Sequence, residues 1–192
     1  MASSFSTSLK LEKMTTGEKA GLWGTTTNTN LDMVEQAVGG YVELSLASGN
    51  QTPAISDGAV SDGRNKVIKL TGSMTANRQL IFPDSCEKTY LVIDGTTRTS
   101  NHYTITIKTS SGTGVTMPVG STMLVIVDGT NVITGITQKG YVTTTNAYTA
   151  VNGDQVIVDT SAAAVTVTLP ASPSVGNEVH FLDGKLSFNS NN

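Results

Sequence analysis

The chain has 192 residues, 14% charged side chains, a formal net charge of −3 and no lysine or arginine run, so it lacks the basic field that captures nucleic acid or an anionic membrane. It is long enough for one ordinary domain or two small ones. A lone cysteine, Cys86, excludes an intrachain disulfide, while 30 threonines and 19 glycines suit short strands and tight turns better than helices.

Residues 1–8 are small and polar and read as a flexible arm, and residues 9–24 read as extended or irregular. MASSFSTSLKLEKM lacks the apolar core of a signal peptide, and no apolar run approaches the roughly 20 residues that span a bilayer. The chain therefore reads as soluble and uncleaved. Asn28 or Thr29 is then placed to cap a helix of two to three turns, with Asp32 in its first turn and Leu31, Val34 and Val38 on one face before Gly39 and Gly40 stop it. So short a helix must pack its apolar face on something.

Strands follow. YVELSLAS alternates cleanly from Tyr41, and further candidates lie at 66–70, 79–82, 90–93, 103–108, 122–127 and 132–136, separated by Gly, Asp, Asn and Ser clusters. A second block opens near Gly140, where VTVTL alternates from Val165 to Leu169. The expected organisation is an N-terminal arm and short helix (1–40), a first β-domain (41–139) and a second β-module (140–192). Antiparallel sandwich or barrel-like modules are the expected architecture.

One phrase recurs: QLIFPDSCEKTYLVIDG at 79–95, VTMPVGSTMLVIVDG at 115–129 and VTLPASPSVGNEVHFLDG at 167–184. In each, a strand ends on Pro83, Pro118 or Pro170, and a second strand closes on Asp-Gly. Proline stops the ladder and Asp-Gly supplies a turn with positive φ, so the unit reads as strand, loop, strand.

Chemistry is sparse. His102 and His180 have no neighbour at metal-ligand spacing, and Cys86 has no evident base. Asp57, Asp62 and Gly63 lack the alternating oxygen ligands of a calcium loop, and Asp94 and Asp128 belong to the repeated turn. No catalytic, cofactor or metal site is expected. A carbohydrate-binding module would need an aromatic platform, and Tyr41, Tyr90, Tyr103, Tyr141 and Tyr148 are scattered along the sequence. The single tryptophan, Trp23, sits between Gly21 and Gly24. It either closes the bottom of the chain's own β-core or anchors an interface with Leu22 and Met33.

The run LKLEKMTTGEKAGLWGTTTNTNLDMVEQAVGGYVELSL, through Gly17, Gly21, Trp23, Gly24, Asn28, Asn30, Gly39 and Gly40, is similar to the N-terminal signature of tail-fibre-like virion proteins of tailed bacteriophages, particularly marine and cyanobacterial ones. The likeness continues through SDGAVSDGRNKVIKLTG, TYLVIDG and GTGVTMPVGSTMLVIVDGTNV, and the later block resembles a β-module that recurs in phage fibres. The resemblance implies a non-enzymatic virion component without cofactor, made in the bacterial host cytoplasm and assembled as a homotrimer. It would dock on tail, baseplate or neck proteins through Leu22, Trp23, Gly24, Asn28, Asn30, Leu31, Met33 and Val34. It further implies the virion-proximal part of a fibre, with a host surface glycan reached through a distal part. A carbohydrate-binding β-module, or a capsid or neck decoration protein, is the alternative.

Overall fold

The computed structural model describes residues 3–98, 103–138 and 140–188, and the chain divides into two compact units, Met1–Gln138 and Lys139–Asn192. Each is made mostly of short strands in a β-solenoid-like arrangement, and the first also carries one α-helix.

In the first unit β1 (Ser4–Phe5) and β2 (Glu12–Lys13) pair antiparallel, within a segment whose sequence reads as an irregular arm. Helix α1 spans Trp23–Gly39, and β3 (Tyr41–Ser45) follows at once. The chain then coils. β4 (Val67–Thr71), β5 (Ser73–Met74) and β6 (Arg78–Phe82) form one rung, and β7 (Glu87–Asp94), β8 (Thr97–Arg98) and β9 (Ile105–Thr109) form the next. The rungs stack in parallel, with Val67 opposite Leu91, Ser73 opposite Thr97 and Arg78 opposite Ile105. Before them, β3 pairs parallel with β4, and Gln51 bridges to Leu80.

The stack ends where the chain reverses. β10 (Gly114–Met117) lies antiparallel on β9, β11 (Thr122–Asp128) on β7, and β12 (Val132–Gln138) on β11, with the register shifting by one residue at Leu124/Val125 to accommodate Gly135. The result is a five-stranded sheet in the order β12-β11-β7-β4-β3, facing a three-stranded sheet, β10-β9-β6, across the core. In the second unit β13 (Tyr141–Thr144), β15 (Gln155–Val158) and β17 (His180–Asp183) stack in parallel, as do β14 (Tyr148–Thr149) and β16 (Val167–Thr168).

The mainly β class stands, but the expected antiparallel sandwich or barrel is replaced by predominantly parallel pairing. Alternation assigns side chains to faces and carries no information on strand direction. Direction depends on the connection: a short hairpin gives antiparallel neighbours, whereas parallel ones need a crossover of a dozen or more residues. Here the chain travels 24 residues from Val67 to its neighbour Leu91. The recurring proline phrase is a corner between strands of different sheets: it joins β6 to β7 and β16 to β17 within such crossovers, and β10 to β11 where the chain reverses.

The Asp-Gly pair also has a different role from the positive-φ turn that the sequence suggests. Only Gly129, at φ 91°, adopts that conformation; Gly95 and Gly184 instead donate their N–H groups to Leu70 and Val158 of the preceding rung, and a Cβ on either would press on that rung. The aspartates do the turning. Asp94, Asp128 and Asp183 each accept backbone N–H groups two or more residues ahead, as Asx turns do.

The inward rows are apolar. Val42, Ile68, Val92 and Met123 lie side by side through the register, and Phe82 stacks on Tyr90 with ring centroids 4.1 Å apart. In the neighbouring row Leu44 and Leu70 are followed by Asp94, whose carboxylate is 1% exposed. It accepts from Thr96, from Gly120 N at 2.9 Å and from Arg98 Nη2 at 2.6 Å, and so ties the last rung to the reversing strands. Asp94→Ala would leave Arg98 buried without its counter-charge, and is expected to lower unfolding stability by about 3–5 kcal/mol. Asp128→Ala, at an exposed turn, should cost much less. Urea denaturation of the two variants checks the contrast.

Candidate docking site

Helix α1 begins earlier than its sequence suggests. Leu22 is the N-cap without a side-chain cap bond, so Asn28 and Thr29 lie inside the helix; Thr29 Oγ1 donates to Thr25 O instead. The buried side is Thr26, Met33 and Ala37, at helical spacing of seven and four residues. Asn30 completes that side by acting as a strand partner for the arm: its Nδ2 donates to Glu12 O at 2.8 Å, and its Oδ1 accepts from Glu12 N at 2.9 Å. At the other end Gly40 allows close approach, because a Cβ there would sit 2.4 Å from both Asn65 Oδ1 and Gln36 O.

The face marked by Leu31, Val34 and Val38 therefore does not pack inward, contrary to the sequence expectation. Their exposures are 61%, 37% and 73%, and Trp23 on the same stripe is 65% exposed. At 100° per residue Trp23, Val34, Val38 and Leu31 fall within about 80° of arc, next to the buried side rather than opposite it. Periodicity detects an apolar stripe but cannot say where a broad one divides. Leu22 is 58% exposed, Asn28 is exposed and Gly24 half-buried, whereas Met33 is fully buried in the chain's own packing and is unavailable to a partner. Trp23 does not close the β-core. The only charged residues on α1 are Asp32 and Glu35, both exposed.

The arm beneath this helix is held by a residue that no sequence pattern singles out. Arg64 is fully buried, and its guanidinium donates to Leu9 O at 3.0 Å, Ser56 O at 2.7 Å, Ser61 Oγ at 3.1 Å and Ala59 O. Burial lowers its pKa. Next to it Lys88 donates to Asn65 O at 2.9 Å and lies 3.9 Å from the Tyr90 ring centroid, while Tyr90 OH donates to Gly63 O. Burial, helped by Lys66 and Arg64, lowers the Lys88 pKa to about 8.

Other sequence candidates do not converge. Among the described residues no three His, Cys, Asp or Glu groups gather to hold a metal. His102 lies outside the described residues, and His180 is exposed beside Glu178. Cys86 is buried, and burial raises its pKa. Tyr41 and Tyr141 are exposed but belong to different units, while Tyr90 and Tyr148 are buried. In the second unit a cavity of about 420 Å³ is lined by Val158, Val165, Val167, Leu169, Phe181 and Phe188, with Thr160 beside them. Its polar group is engaged, since the Thr160 and Ser187 hydroxyls are 2.9 Å apart.

No protein-family model, curated protein or solved structure matches the chain. The exposed apolar stripe of α1 thus stands on its own geometry as the candidate site, supported from below by Asn30 and Arg64.

The depressed Lys88 pKa gives the support a pH signature. Between pH 8 and about 10 an ordinary, unfolded-state lysine binds more protons than the folded-state Lys88, so this residue's contribution to stability should rise with pH across that window, while Cys86, Tyr90 and Tyr148, whose pKa values burial raises, contribute in the opposite sense as pH passes their ordinary values. Below pH 8 both states are protonated and this dependence vanishes. Urea titrations at pH 7, 8, 9 and 10 should show the native chain gaining stability relative to Lys88→Met between pH 8 and 10, and no such relative change between pH 7 and 8.

Proposed function

We propose that this chain is a non-enzymatic structural protein of a phage virion, the virion-proximal part of a tail fibre of marine or cyanophage type. It attaches to the tail or neck through α1 and supports host adsorption as part of a homo-oligomer. The observation that carries the reading is the stripe of Trp23, Leu31, Val34 and Val38: the largest side chain in the chain is spent on an outward helix face, alongside three further apolar residues. Tryptophan concentrates binding energy where it is desolvated by a partner. The stripe also lies within the phrase that resembles the attachment segment of tail-fibre-like proteins. The coiled β architecture agrees with a shaft, because stacked rungs extend in one direction and need no catalytic centre.

In this reading Trp23, Leu31, Val34 and Val38 enter an apolar groove on the virion, and Asp32 and Glu35 face a basic margin. Met33, Asn30 and Arg64 act indirectly by holding the helix and arm on the first unit. Deleting residues 1–40 would confound docking with folding, since it removes the buried Met33 and Ala37 and the Leu9 carbonyl that Arg64 binds. Substitutions on the outward face avoid this difficulty.

Trp23→Ala combined with Val38→Asp in the phage genome is expected to reduce incorporation of the chain into purified particles at least about tenfold, with adsorption falling in parallel. The purified double variant should stay folded, losing about 1–3 kcal/mol through the covered part of Trp23 and the acid placed in the last turn of the helix. Normal incorporation of the folded variant would sink the proposal.

A further inference from the structure

The stack of the second unit ends on two open strand edges. In the ladder of β17 on β15, His180 and Gly184 donate to Asp154 O and Val158 O, so alternation turns the N–H and C=O groups of Phe181 away from β15. In the ladder of β16 on β14, Thr166 O and Thr168 O accept from Tyr148 N and Ala150 N, which turns the backbone groups of Val167 away from β14. Among the described residues no strand pairs with either outer edge. The cavity of about 420 Å³ lies between them, lined by Val165, Val167 and Leu169 on one side and Phe181 on the other. Tyr148, the ladder partner of Val167, does not line it, so the cavity opens at the end of the stack. A second hollow of about 290 Å³ shares Leu169 and Phe181, and the two make one groove.

We propose that this groove is a strand-acceptor site, filled by an extended segment of another protein that pairs its backbone with β17 and places two alternate apolar side chains in the cavity. The inference goes beyond the docking role of α1 and does not depend on it.

Three observations select this occupant. The first is hydrogen bonding. Alternating donors and acceptors along β17 match an extended polypeptide, whereas a hydrocarbon or a lipid surface would bury the N–H and C=O of Phe181 without partners. The second is shape. An apolar cavity of about 150 Å³ takes one benzene-sized group. The cavity here therefore takes two apolar side chains, which residues i and i+2 of one strand supply on a single face. A second copy presenting the same end would set a cavity against a cavity, and a two-fold contact has to be self-complementary. The third is the edge itself. Edges that stay bare carry lysine, proline or a bulge. β17 pairs in unbroken register, contains neither lysine nor proline, and turns its one carboxylate, Asp183, to the N–H groups of Lys185, Ser187 and Phe188. The edge strand β12 differs, since a register shift interrupts its pairing. Residues 189–192, Asn-Ser-Asn-Asn, bring no apolar side chain to the groove.

The test uses a fluorescein-labelled peptide of sequence GDQVIVDT, residues 153–160. It contains β15, a strand that already pairs with β17, and offers Val156 and Val158 as alternate apolar residues. Fluorescence anisotropy with the full chain is expected to show saturable binding with a Kd below about 1 mM. Leu169→Asp and, independently, Phe181→Asp should weaken binding at least about tenfold while retaining the native far-UV spectrum. A peptide with proline in place of Ile157 lacks one backbone donor and should also bind at least about tenfold more weakly. Val38→Asp, on α1, should bind like the native chain. Absence of binding up to about 1 mM peptide overturns the inference, as do folded groove variants that bind normally or a Val38→Asp variant that does not bind. Equal binding of the proline peptide overturns it in favour of simple cavity filling. Self-association of the native chain in sedimentation velocity that is lost in Leu169→Asp overturns it in favour of a second copy.

Discussion

The structure depends on the inability of a single β-rung to satisfy itself. One turn of chain leaves unpaired N–H and C=O groups on both edges and an apolar inner side with nothing against it. Stacking resolves both deficits together: each parallel neighbour takes one edge, and each inward residue falls on an inward residue of the rung before. Val42, Ile68, Val92 and Met123 form one such row in the first unit, and Val142, Val156 and Phe181 form one in the second. The tight corners, with glycines brought against the previous rung and aspartates turning the chain, are consequences of keeping that register.

Stacking moves the problem to the ends. In the first unit the chain reverses, laying β10 and β11 antiparallel on the last rung, and the buried Asp94 links the two arrangements. The second unit places an aspartate at the equivalent point of its inward row, where Thr144 and Val158 are followed by Asp183. There the carboxylate accepts the N–H groups of Lys185, Ser187 and Phe188. Phe181, inward in the last described rung, remains 41% exposed. In both units a carboxylate takes the position of an aliphatic side chain where the chain must leave the stack.

Polar burial elsewhere serves attachment of the N-terminal segment. Arg64 spends its donors on four oxygens of the chain, three of them backbone carbonyls, and Asn30 completes the backbone of the arm as a strand would. With both groups satisfied, the desolvation penalty of each is offset. The arm and α1 are thereby fixed to the first unit while one side of the helix stays free. An apolar stripe beside the exposed acids Asp32 and Glu35 results on α1.

The sequence by itself determined the β class, the positions of most strands, the recurring corner and the existence of a helix ending at Gly39 and Gly40. These are local matters, governed by alternation, proline, aspartate and glycine, and all can be read along the chain. Only the tertiary structure decided that most strand pairs run parallel, because direction depends on where the chain returns after some two dozen residues. It also decided that Met33 rather than Val34 and Val38 faces inward, since an apolar stripe wide enough for two surfaces has the same period as one. Arg64 was illegible for a related reason: its acceptors lie on residues 9, 56, 59 and 61, and only folding brings those oxygens around one guanidinium.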